Sequence, residues 1–328
     1  MRIGFTTTIP VEILLAAGAV PVDLNNVFIN HPRARELMRR AELDGYPRNV
    51  CSWIKGIYGA VMELHPVDKL LIVTEGDCSN TRSMLETLQT MDSPPILTFN
   101  YPHNRDKARL EAEMHRLAEA LGTSLEAAEK VRKNLRPLRE KLRRLDELTW
   151  KNGKVTGLEN HRWLVSSSDF NGDPKYFENQ LGDFLNIAEQ RSPKKPDVRL
   201  AFAGVPPIFS DLYDYLPKCG AEVVLNEMQR QFSMPYQVNS LLEQYLLYTY
   251  PYDVFFRLKD LKREIHKRDV QGVIHYVQSF CHRGIEDIVM RRELERPLLT
   301  LEGDAPGPLD ERTRLRIDIF LETLTQRR

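Results

Sequence analysis

Short apolar runs recur along the chain. Between them lie segments whose apolar residues return every three or four positions. AVPVDL (19–24), DKLLIVTEGD (68–77) and PPILTFN (94–100) have the length and aliphatic content of buried strands, and RIGFTT near the start adds another. RARELMRRAEL (33–43) and NTRSMLETLQTM (80–91) carry the helical period. Alternation of strands and helices through short connections predicts a mostly parallel α/β layer.

From about residue 104 the pattern changes to long, densely charged helical stretches: 104–122, 124–150 and FENQLGDFLNIAEQR (177–191). RSPKKPD (191–197) then punctuates the chain. Alternation resumes with strands expected at VRLAFAG (198–204), AEVVLNE (221–227), GVIHYVQSF (272–280) and RPLLTLEGD (296–304). Helices are expected at 210–220, 237–250, 256–269, 283–295 and 310–326. The prediction is α/β: two open, mostly parallel-sheet Rossmann-like lobes with an associated helical segment. The first lobe spans 1–103 and carries Cys51 and Cys78. The helical segment spans 104–196, and the second lobe, 197–328, carries Cys281.

Charge narrows the function classes. Among 328 residues, 46 Lys and Arg balance 46 Asp and Glu. A formal net charge of zero offers no broad attraction to nucleic acid or an anionic membrane. The opening MRIGFTTTIPVEILLAAGA lacks a convincing n-region and is broken by polar residues, with Pro10 at an expected helix start, so no secretory signal is expected. No apolar run reaches the roughly 18 residues of a membrane span. Four cysteines do not make a disulfide scaffold, and a reducing cytoplasm is the expected location.

The thiols are then free to bind something, and their places on the map differ. Cys51 opens the expected helix CSWIKGIYGAVMEL. Cys78 and Cys281 each follow the carboxyl end of a strand and precede a helix, where open α/β sheets gather ligands. A helix start presents unpaired N–H groups and the positive end of a dipole, which favours thiolate and metal ligation. Cys219, in LPKCG, lies at a helix end with Gly220 as its cap, and is assigned a structural role. No CxxC pair exists, which argues against an ordinary structural zinc site. Separate buried thiols are one alternative. A shared three-thiolate centre is the other, with His65 or His282 as a further ligand or part of a zinc site. Three thiolates would leave one iron of a cubane open to water or substrate.

Several segments carry a family resemblance: TTTIPVEILLAAGAVPVDL, CSWIKGIYG with Cys51, TEGDCSNTRSMLE with Cys78, SFCHRGIED with Cys281 and LLTLEGDAPGPLDERTRLRIDIFLE. Together the chain resembles the D-component family of 2-hydroxyacyl-CoA dehydratases, which includes subunits of benzoyl-CoA reductase and the double-cubane proteins. The resemblance implies one [4Fe-4S] cluster per subunit held by Cys51, Cys78 and Cys281, with one iron lacking a cysteine ligand. It implies pairing as a homodimer or with a related subunit, and an ATP-hydrolysing iron–sulfur activator that delivers a low-potential electron. The electron would convert an acyl-CoA thioester to a ketyl radical able to expel a hydroxyl group. A double cubane would need more cysteines than Cys219 supplies. Alternatives are a benzoyl-CoA-reductase-like component, a non-catalytic cluster or electron-transfer protein, and a zinc-stabilised structural protein.

Polar residues flank the proposed ligands. Glu75 and Asp77, and Glu302 and Asp304, are candidates for helix capping or acid–base work. Arg82, His282 and Arg283 are candidates for CoA phosphates or an anionic thioester, with surface ion pairs as the alternative. Thr6 to Thr8 could line a cleft or cap a helix. LAFAGVPP (200–207) lacks GxGxxG and no P-loop is present, so any ATP chemistry belongs to a partner.

Overall fold

A computed structural model describes residues 1–278 and 280–326. Ser279, inside the strand expected at 272–280, lies outside the described residues. The chain divides into two compact units. Unit 1 is 1–140, 166–178 and 234–253; unit 2 is 141–165, 179–233 and 254–328. The helices of 104–196 are shared between the two units.

The first half runs β1 (Arg2–Phe5), α1 (Val11–Ala16), β2 (Val20–Asp23), α2 (Leu24–Ile29), α3 (Ala34–Leu43), α4 (Ser52–Leu64), β3 (Lys69–Glu75), α5 (Ser79–Leu88) and β4 (Ile96–Asn100). Five helices follow: α6 (Lys107–Ala120), α7 (Leu125–Asn134), α8 (Arg136–Trp150), α9 (Gly157–Ser166) and α10 (Pro174–Glu189). The second half runs β5 (Val198–Gly204), α11 (Leu212–Lys218), β6 (Ala221–Asn226), α12 (Glu227–Phe232), α13 (Leu241–Leu247), α14 (Val254–Lys267), β7 (Gly272–Val277), α15 (His282–Glu293), β8 (Leu298–Glu302) and α16 (Glu311–Gln326).

All eight expected strands form, as two four-stranded sheets ordered β2-β1-β3-β4 and β6-β5-β7-β8. Every pairing is parallel, and both units therefore repeat one doubly wound topology. Parallel strands are covered on both faces, which explains their continuous apolar runs. Leu70 to Val73 are fully buried in β3, and every residue of β7 is buried. The core of unit 1 includes Ile54, Ile57, Tyr58, Leu70, Ile72 and Met84; Cys51 and Cys78 both pack against it. In unit 2, Ala201, Val273, Leu258, Leu261 and Met290 belong to the corresponding core.

The helix expected over 124–150 is two helices, α7 and α8, separated at Leu135. Pro137 has no N–H to continue the first helix and sits in the first turn of the second, where that N–H is not needed. Three short helices were not foreseen: α2, α9 and α12. The start of α9 does carry a sequence signal. Thr156 and Glu159 form a reciprocal capping box, Glu159 N–H to Thr156 Oγ1 at 3.2 Å and Thr156 N–H to Glu159 Oε2 at 2.9 Å.

Candidate metal centre

In sheets of this order, ligands collect beyond the carboxyl ends of the strands where the winding reverses. In unit 1 that point lies between β1 and β3, and the chain leaves those strands through Thr6–Thr8 and Gly76–Cys78. In unit 2 it lies between β5 and β7, followed by Gly204–Pro207 and by the segment ending at Cys281. Cys78 and Cys281 thus occupy equivalent topological positions.

Cys51, Cys78 and Cys281 are the N-caps of α4, α5 and α15, and none makes a side-chain capping hydrogen bond. All three are half-buried and none is in a disulfide. The helices they open have 13, 10 and 12 residues, long enough to present a developed dipole. The expectation that a helix start lowers the thiol pKa fails at Cys78. Burial pushes this thiol up and the Asp77 carboxylate adds to the rise, outweighing the Thr81 hydroxyl and the Thr81 and Asn80 N–H groups. A bound cation would reverse that balance.

The residues around Cys78 form a closed bracket. Asp77 Oδ1 accepts the Cys78 N–H at 2.8 Å, and Asp77 Oδ2 accepts the Thr81 hydroxyl at 3.1 Å. The same hydroxyl lies 3.5 Å from Cys78 Sγ. Tyr250, brought back to unit 1 by the 234–253 segment, donates to Asp77 Oδ1 at 3.4 Å. Gly76 turns this corner at φ +92°, and a Cβ there would stand 2.6 Å from Tyr101 Cβ and 2.9 Å from Pro251 Cβ. Glu75 accepts from the His103 N–H and from Arg109, so it ties down the loop after β4.

Thr6, Thr7 and Thr8 are buried and cap nothing: α1 has Pro10 at its N-cap and no side-chain cap bond. Thr6 Oγ1 accepts the Val73 N–H at 3.4 Å, and Thr8 O accepts the Tyr101 hydroxyl at 2.9 Å. The threonine run therefore braces the β1–β3 junction.

The Cys281 corner uses charge. Arg257, 2% exposed, grips both oxygens of Glu227 at 2.9 Å and reaches Glu286 Oε2 at 2.6 Å. Glu227 also accepts the Gly204 N–H at 3.0 Å. Burial alone would raise the Glu227 pKa, but Arg257 holds it below the usual carboxylate range. Glu286 in turn meets Arg283 at 3.3 Å. The buried Arg283 is thus engaged within its own helix, while Arg82 and His282 are exposed.

Other candidates have different surroundings. His65 is the left-handed C-cap of α4, at the opposite end of a 13-residue helix from Cys51, about 20 Å by helical rise, so it cannot share a centre with that thiol. Glu302 and Asp304 are exposed, and Asp310 rather than either of them caps the start of α16, taking the Thr313 N–H at 2.7 Å. Cys219 is an exposed C-cap whose thiol donates to Asp318 at 3.6 Å.

A model of the family described as 2-hydroxyglutaryl-CoA dehydratase, D-component, matches residues 6–324. The chain belongs to this family. Membership makes it a 2-hydroxyacyl-CoA dehydratase-type component. No curated protein matches it. Among the described residues, no helix is long and apolar enough to cross a membrane.

The donor set suits an iron–sulfur cluster by type: three soft thiols outside any disulfide, each the N-cap of a helix. Neither unit holds three of them, and among the described residues no group of three or more His, Cys, Asp or Glu is already gathered as a metal cage.

Proposed function

We propose that this chain is the iron–sulfur component of a radical 2-hydroxyacyl-CoA dehydratase, with Cys51, Cys78 and Cys281 holding one [4Fe-4S] cluster that has one iron free of cysteine. The observation that carries the reading is the coincidence of three cysteines with three helix N-caps in a member of the 2-hydroxyglutaryl-CoA dehydratase family. When bound, such a cluster supplies low-potential one-electron transfer and an open Lewis-acidic position.

The chain's own residues have distinct tasks in this reading. The three thiols fix the donor set. The first-turn N–H groups of α4, α5 and α15 offset the thiolate charge. Asp77 and Thr81 fix one sulfur, and the Arg257 pair fixes the helix that bears another. The partners are a homologous subunit, identical or related, and an ATP-hydrolysing iron–sulfur activator in the cytoplasm. The substrate is an acyl-CoA thioester. Loss of water from a 2-hydroxyacyl thioester is redox-neutral overall, so the electron is regenerated. A dehydratase then needs the activator in catalytic amounts, whereas a reductase of the benzoyl-CoA type consumes electrons at every turnover.

Anaerobic purification tests the cluster directly. The wild-type chain is expected to carry about four irons and four acid-labile sulfides. C51A, C78A and C281A each lose most of that content, and C219A keeps it. Full iron content in any of the first three removes that residue from the ligand set. A colourless protein holding one zinc would overturn the reading. Turnover of a 2-hydroxyacyl-CoA with substoichiometric activator separates a dehydratase from a reductase or a carrier.

A further inference from the structure

The Thr81 hydroxyl has one proton and two acceptors within reach. Asp77 Oδ2 lies 3.1 Å away and Cys78 Sγ 3.5 Å away. Thr81 is 1% exposed, so bulk water has little access to substitute for either contact. Asp77 is itself held on its other oxygen by the Cys78 N–H and by the Tyr250 hydroxyl. While Cys78 is a thiol it can donate, and the Thr81 proton stays on Asp77. Once the sulfur is a deprotonated ligand it can only accept, and the hydroxyl is already beside it. Rotation about the Cβ–Oγ1 bond then re-aims the hydroxyl proton, which stays on Thr81 Oγ1, from the carboxylate to the sulfur.

We propose that Thr81 is a positioning residue for Cys78: its buried hydroxyl, within reach of both Asp77 and the sulfur, donates a hydrogen bond to the ligating sulfur and raises the reduction potential of the cluster that sulfur holds. This rests on the reading that Cys78 is a cluster ligand. Hydrogen bonds to cluster sulfurs stabilise the more negative, reduced state, which is the physical basis of the expected sign. Outer groups that orient ligands tune metal sites as much as the ligands themselves do.

The test compares wild type, T81S and T81V as anaerobically loaded full-length protein. Iron and sulfide content is measured first, then the potential by titration followed with electron paramagnetic resonance. All three are expected to load equally. T81V, which keeps the shape and loses the hydroxyl, should show a ratio of reduced to oxidised cluster lower by on the order of tenfold at a fixed potential, equivalent to about 59 mV for a one-electron couple. T81S should restore the wild-type value. If T81V loads poorly, T81A is read in its place. Equal potentials in all three proteins, or a T81S shift as large as that of T81V, overturns the role of Thr81 while leaving the cluster reading intact. A wild-type protein without iron and sulfide overturns that reading instead.

Discussion

The β3–α5 corner of unit 1 and the β7–α15 corner of unit 2 occupy the same place in the same topology, and each ends in a cysteine N-cap. They are built differently. At the first, Asp77 collects hydrogen bonds from the Cys78 N–H, Thr81 and Tyr250. At the second, Arg257 joins Glu227 to Glu286. A hydrogen-bonded bracket holds the residues around one sulfur. An ion network anchors Arg283 and Glu286 of the helix behind the other. One fold position can therefore be secured either by hydrogen bonds gathered on a single carboxylate or by a buried ion network, and the two should fail differently.

Arg257→Ala should have the largest effect. It leaves Glu227 buried and negative without its partner, and breaking a buried pair from one side costs about 3–5 kcal/mol. The Gly204 N–H cannot replace two guanidinium bonds. Asp77→Asn, which keeps the shape and one acceptor, should cost only about 1 kcal/mol. Denaturant unfolding followed by fluorescence reads both, with Trp150 and Trp163 reporting on unit 2 and Trp53 on unit 1. Equal costs would show that the ion network is no more important to its corner than the bracket is to the other.

Buried carboxylates sharpen the contrast through pH. In unit 1, Asp169 accepts the Asp23 N–H at 2.8 Å and caps the turn Phe170–Gly172. Burial, reinforced by the Asp23 carboxylate, pushes Asp169 up to about 7, and burial raises Asp23 as well. In unit 2, burial would raise Glu264, but Arg230 and Arg268 hold it at about 2. The signs are opposite. A carboxyl whose folded pKa is raised binds its proton more tightly when folded, so its contribution is present below about pH 4 and lost as pH rises toward 7. One whose folded pKa is depressed contributes above about pH 4.5 and loses that contribution as pH falls toward 2. Asp169→Asn should remove a decline in unit 1 stability on the order of 2–4 kcal/mol between pH 4 and 7. Trp53 fluorescence melts across that range check it. An unchanged slope in the variant would mean that Asp169 ionises as freely as an exposed carboxyl.

Much of this was legible in the sequence, for local reasons. Eight apolar runs gave eight parallel strands because strands buried on both faces need no alternation. The three cysteine N-caps were readable from strand ends and helix periods. What escaped was either short or distant. α2 and α12, six residues each, have too few turns to show a period, while α9 announced itself only through Thr156 and Glu159. The Tyr250–Asp77 contact joins residues 173 positions apart, and no local pattern encodes it. The depressed thiol pKa expected at a helix start was reversed at Cys78 by burial and by Asp77, a balance that depends on packing rather than spacing.

The smallest effect comes from how the two corners turn. Gly76 makes the turn at φ +92° against Tyr101 and Pro251, where no Cβ fits. The residue before Cys281 is Phe280, with φ +56° and an exposure of 75%. An L-residue in the left-handed region costs about 1–2 kcal/mol, and glycine avoids that cost. Glycine also loses more chain entropy on folding, about 0.5–1 kcal/mol, which offsets part of the gain. The exposed ring loses few contacts when removed. Phe280→Gly should therefore stabilise unit 2 by about 0.5 kcal/mol, visible as a small rise in the midpoint of the Trp150 and Trp163 transition. A loss above about 1 kcal/mol would mean instead that the aromatic ring holds this corner together, and the contrast with Gly76 would then be one of packing rather than of backbone.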